Sequence, residues 1–85
     1  MQCWIYKSSR RAETYLYLRH EGDTSKVPGA LIEAMGTLEL VMELSLSHER
    51  NLARASAEQV IRDLEQRGYY LQMPPAEQPR PPWVQ

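Results

Sequence analysis

One stretch leaves the backbone little choice: residues 55–75, Ala-Ser-Ala-Glu-Gln-Val-Ile-Arg-Asp-Leu-Glu-Gln-Arg-Gly-Tyr-Tyr-Leu-Gln-Met-Pro-Pro. Ser56 followed three residues later by Gln59 is a capping box, in which each side chain satisfies a backbone N–H that a helix start leaves unpaired. Val60, Ile61 and Leu64 form the apolar stripe. Glu58 suits the positive end of the helix dipole and Arg67 the negative end, and Gly68 can take the left-handed conformation that closes a helix. Beyond Gly68 the period changes to two. Tyr69, Leu71 and Met73 share one side of a strand and Tyr70 and Gln72 the other, until Pro74-Pro75 removes two ladder donors. A helix therefore feeds a strand through a single glycine.

The N-terminal third holds a second strand pair. Residues 2–8 and 15–19 are rich in aromatic and β-branched side chains, and the short polar run Ser9-Arg10-Arg11-Ala12-Glu13-Thr14 between them reads as a hairpin turn. Alternation opposes Cys3 and Ile5 to Trp4 and Tyr6 in the first strand, and Leu16 and Leu18 to Tyr15 and Tyr17 in the second. Which of these sets align depends on the pairing register, which sequence does not supply. Residues 20–26 are turn chemistry. Pro28 opens a short helix with Leu31, Ile32 and Met35 on one side, and Gly36 stops it. Residues 37–46 alternate as Leu38, Leu40, Met42, Leu44 and Leu46 against Glu39, Val41, Glu43 and Ser45, which predicts a strand with one buried face. Residues 47–54 form a polar connector anchored by Leu52. Five of the six prolines fall after residue 73, so residues 1–75 are expected to fold and 76–85 to form a proline-rich flexible tail.

An 85-residue chain buries only about two-thirds of the surface its unfolded form exposes, so the core is small. A formal net charge of -1 gives no global attraction to phosphate, and any nucleic-acid contact must be a local patch. The single cysteine, Cys3, excludes an internal disulfide and a cysteine-built zinc site, which suits a reducing compartment. Residues 1–6 are too short for the apolar region of a signal peptide, and no run approaches bilayer length. A cytoplasmic protein with no membrane partner is expected.

No constellation has the spacing of a catalytic site. His48-Glu49 could open a zinc-protease motif, but Leu52 stands where the second histidine belongs. Glu39 and Glu43 read as a solvated strand face, and Cys3 as a small hydrophobe in an apolar strand. Pro79-Arg80-Pro81-Pro82 has a Pro-x-x-Pro spacing, which arises easily in any proline-rich tail. The sharpest feature is the hairpin. Trp4, Tyr6, Tyr15 and Tyr17, bordered by Lys7, Arg10, Arg11 and Arg19, have the composition of a surface on which bases stack and cations meet phosphates. The competing reading is that helices cover these rings as core. No cofactor, metal or catalytic residue is expected.

Several of these residues together resemble the YcgL domain, a small bacterial domain. The resemblance rests on Cys3-x-Ile5-Tyr6-x-Ser8-Ser9-Arg10 with Tyr15-Leu16-Tyr17-Leu18, on Val27-Pro28-x-x-Leu31, on Leu40-Val41-Met42-x-Leu44-x-Leu46, on Leu52-Ala53-x-Ala55 and on the run from Gly68 to Pro75. It implies an α+β fold, a small antiparallel sheet made of the N-terminal hairpin and two further strands, packed with two or three helices. It carries no catalytic residues to this chain. It also implies a gene that in some proteobacteria lies beside that for ribonuclease D, and so a possible link to RNA or an RNA-processing enzyme. Two functions follow as expectations: a non-catalytic adaptor for an unknown protein partner, and an RNA-contacting accessory module using the aromatic and basic hairpin.

Overall fold

The computed structural model describes residues 1–46 and 57–74. The element order is β1 (Gln2–Ser8), β2 (Tyr15–Leu18), α1 (Gly29–Met35), β3 (Leu38–Ser45), α2 (Ala57–Gln66) and β4 (Tyr69–Gln72). The four strands form one antiparallel sheet in the order β3-β1-β2-β4. The α+β architecture that the resemblance implies, in agreement with the order of elements read from the sequence, is the one adopted. Ser56 of the capping box, the connector with His48, Glu49 and Leu52, and the Pro-x-x-Pro tail lie outside the described residues.

Each helix covers one face of the sheet. On one side Val60, Ile61 and Leu64 of α2 pack with Cys3, Ile5, Tyr17, Leu44 and Leu46. On the other, Met35 of α1 packs with Tyr6, Leu16, Leu18 and Val27, and Leu31 and Ile32 flank it. The periodicity of both helices therefore located their buried sides, because an isolated helix this short is held mainly by its apolar stripe.

The two joints between helix and strand need glycine. Gly36 (φ 72°) ends α1, and a Cβ there would lie 2.6 Å from Ser9 Oγ and 2.7 Å from Arg10 Cγ. The β1–β2 turn is folded over this point. Ser8 Oγ donates to Met35 O at 2.6 Å and accepts from the Arg11 amide at 2.9 Å, while the Thr37 amide donates to Ser9 Oγ at 2.8 Å. Gly68 (φ 85°) joins α2 to β4, and its amide donates to Asp63 O and Leu64 O, both at 3.1 Å. Pro28 sits one position earlier than expected, at the N-cap, where its carbonyl accepts from the Leu31 and Ile32 amides.

The third strand departs from its alternation. Opposite β1 the register runs Ile5↔Met42 and then Tyr6↔Leu40, so Val41 is an extra residue and the strand is bulged. Directly paired residues share a face. Leu38 and Leu40 therefore fall with Tyr6 and Ser8 on the α1 side, while Met42 and Leu44 fall with Ile5 and Cys3 on the α2 side. The five apolar positions do not line one face, and Glu39 and Glu43 do not share the other. One inserted residue shifts the parity of everything beyond it.

Candidate interaction surface

The β1–β2 register also divides the aromatic set. Trp4 pairs with Leu18 and Tyr6 with Leu16, whereas Tyr17 pairs with Ile5 and Tyr15 with Lys7. Trp4 and Tyr6 consequently face α1, and Tyr15 and Tyr17 face α2. Tyr6 is 9% exposed and Tyr17 5%, and Trp4 and Tyr15 are half-buried against their respective clusters. The Tyr6 hydroxyl accepts from the Gly22 amide at 2.7 Å. The Tyr17 hydroxyl donates to Gln72 Oε1 at 2.7 Å, and its ring meets Tyr70 edge-on at 5.4 Å between centroids. The four rings thus do not make one open stacking platform.

The cations are dispersed as well. Lys7 pairs with Glu39 at 3.5 Å, both well exposed, a contact worth at most about 1 kcal/mol. Arg10 lies along Gly36 and donates from Nη1 to Glu33 O at 3.4 Å. Arg11 lines a shallow apolar groove with Thr14, Leu31, Met35, Leu71 and Met73. Arg19 stands at the opposite end of the hairpin, about 13 Å along the strand direction at about 3.3 Å per residue. There it shares one depression with Met1, Gln2 and Trp4, and a second with Asp23, Lys26, Glu65 and Arg67.

The buried titratable groups are held neutral. Burial pushes the Cys3 thiol up to about 11, so it is not a thiolate near neutrality. Burial first, then the neighbouring Tyr70, pushes Tyr17 up to about 12. In each case the folded state holds its proton more tightly than the unfolded chain. The resulting stabilisation is complete below about pH 9, and it is lost as the pH rises from 9 through 11 for Cys3 and from 10 through 12 for Tyr17. Alkaline unfolding is therefore expected in this window, and Tyr17→Phe should flatten the upper part of the decline. A pH titration of the denaturation midpoint for both proteins checks this; parallel curves between pH 10 and 12 would show that Tyr17 does not contribute.

What sequence reasoning missed is the outer edge of β3. Among the described residues β3 pairs only with β1, and at the bulge Leu40, Val41 and Met42 are 46%, 48% and 44% exposed. The signal was present in the sequence. Three consecutive large apolar residues cannot all face inward from a strand, and Val41 on the nominally polar side marked the irregularity. Among the described residues, no other run of adjacent large apolar side chains is this open; Met1 is exposed singly. The opposite edge, β4, is half as long and runs into Pro74, which has no N–H to offer.

The family model of the YcgL domain matches residues 3–75. The chain belongs to the YcgL domain family. Similar proteins include a YcgL domain-containing protein of Thioalkalivibrio sulfidiphilus, 43% identical over 75 residues, which cover 88% of this chain and 93% of that one. Another, from Azotobacter vinelandii, is 47% identical over 76 residues, covering 89% of this chain and 78% of that one. A putative HAD-like hydrolase of Nitrosococcus oceani is 45% identical over 71 residues, 84% of this chain but 19% of the larger protein. Several of the described residues that carry the YcgL resemblance have structural tasks in this fold. Ser8, Ser9 and Arg10 lock the hairpin turn onto the end of α1, and Gly68, Tyr70 and Gln72 seat β4 against α2 and Tyr17.

Proposed function

We propose that this YcgL domain is a non-catalytic adaptor that offers the open edge of β3 to a protein partner. The observation that carries the reading is the Leu40-Val41-Met42 run, exposed on a strand that lies at the edge of the sheet among the described residues. Edge pairing gives affinity through main-chain hydrogen bonds, and adjacent apolar side chains give contact area. A similar segment makes up 19% of a putative HAD-like hydrolase, so a segment of this kind also occurs as a small part of a larger protein. The buried thiol of Cys3, held protonated, agrees with a role that needs no nucleophile.

Replacing Val41 with lysine tests it. Surface changes away from packed groups move stability by about 0.5 kcal/mol or less, so Val41→Lys should fold normally. In affinity capture with nuclease present, a partner retained by the intact chain should be lost by the variant. Equal retention by both would remove β3 from the interface.

The RNA-contacting reading ranks second. It draws on the corner where Trp4 lies beside Arg19 and His20, with Lys26 and Arg67 next to them. Asp23, Glu65 and the negative end of α2 offset those cations, which is why it ranks below the edge. If the corner binds single-stranded RNA, affinity should fall steeply with salt as counterions are released, and Arg19→Glu should abolish it. Salt-independent binding, or none at low salt, would leave the corner without that role.

A further inference from the structure

The charge pattern of β3 specifies the strand it would take up. Glu39 and Glu43 bracket the exposed Leu40-Val41-Met42 run, and the bulge sends them to opposite faces: Glu39 lies across from Lys7 on the α2 side and Glu43 across from Trp4 on the α1 side. β1 shows how a neighbour spans this interval. Its four residues Trp4-Ile5-Tyr6-Lys7 oppose Glu43, Met42, Leu40 and Glu39, with an apolar residue on each face in the middle and a cation opposite Glu39.

Resting on the reading of β3 as the docking edge, we propose that its partner is an extended segment of the form cation-apolar-apolar-cation, added antiparallel to β3 so that Lys or Arg meets Glu39 and Glu43. Opposite charges directly across a strand pair are favourable and like charges are not. A second copy of this chain fits poorly for that reason. Centred on either acid, β3 paired with itself sets Glu39 against Glu39 or Glu43 against Glu43. Every other register leaves both carboxylates without a cation from the second copy, because Leu38–Ser45 holds no Lys or Arg.

The test uses two synthetic peptides, Thr-Lys-Val-Ile-Lys-Thr and Thr-Glu-Val-Ile-Glu-Thr, titrated into the full chain at low salt while backbone amide resonances are followed. The basic peptide should shift β3 amides and bind at least about tenfold more tightly than the acidic one, a difference of about 1.4 kcal/mol. Glu39→Lys with Glu43→Lys should reverse the preference. If that pair fails to fold, Glu39→Gln with Glu43→Gln should abolish the preference instead. Equal binding of both peptides at β3 would refute the charge rule while leaving the edge as the docking surface. Failure of both peptides to perturb β3 would remove the edge reading along with it. Concentration-dependent dimerisation that protects β3 amides would replace the basic segment with a second copy.

Discussion

Tyr17→Ala should lower the stability of the domain by about 3–5 kcal/mol, the cost of deleting a large buried aromatic side chain. Three losses combine. The ring is 5% exposed and packs within the cluster of Cys3, Ile5, Val60 and Leu64, so its removal leaves a cavity between the sheet and α2. The edge-on contact with Tyr70 at 5.4 Å disappears. Gln72, only 8% exposed, loses the hydroxyl that donates to its Oε1 at 2.7 Å and is left with an unsatisfied buried acceptor. Domains of this size have total stabilities on the order of 5–15 kcal/mol, so the loss takes a large share of the total and should show as a strongly lowered denaturation midpoint. Chemical denaturation followed by circular dichroism measures the effect. Tyr17→Phe isolates the hydroxyl and should cost about 1–2 kcal/mol. A fully folded Tyr17→Ala protein with an unchanged midpoint would mean that the ring is not core and would reopen the stacking role for the hairpin.

Gly68→Val should cost about 2–5 kcal/mol, through a different mechanism. At φ 85° a β-branched residue is strained by about 1–2 kcal/mol on backbone grounds. The new Cβ would also lie 2.7 Å from Lys26 Cγ and 2.9 Å from Lys26 Cβ, and overpacking of that kind adds about 1–3 kcal/mol. The Lys26 side chain can swing, but its own Cβ moves only with the backbone before Val27, which is 8% exposed in the α1-side cluster. The expected signature is a lowered denaturation midpoint with Gly68→Ala intermediate between the wild type and the valine variant. A midpoint unmoved by valine would show that α2 and β4 are joined differently.

Local patterns determined the elements. The stripe of Val60, Ile61 and Leu64, the glycines at 36 and 68 and the polar turn between β1 and β2 act through the first few neighbours along the chain, so helices, strands and joints were legible from residue order. The family, too, was legible, from short runs that include the residues closing the hairpin turn and the α2–β4 joint. Facing was not. Whether Trp4 and Tyr17 share a side of the sheet depends on which residues lie opposite one another, a matter of register between strands. The pairing Ile5↔Tyr17 put them on opposite sides, and the two helices buried Tyr6 and Tyr17, rings that had the composition of a binding surface. The bulge at Val41 had the same consequence in β3. Val41 among the polar positions marked an irregularity, but a strand with period two does not say which side of an inserted residue each leucine belongs to, so the sequence left open that the leucines serve two cores. Only the alignment against β1, where Tyr6 takes Leu40 and Ile5 takes Met42, decided that Leu40, Val41 and Met42 stand at an open edge.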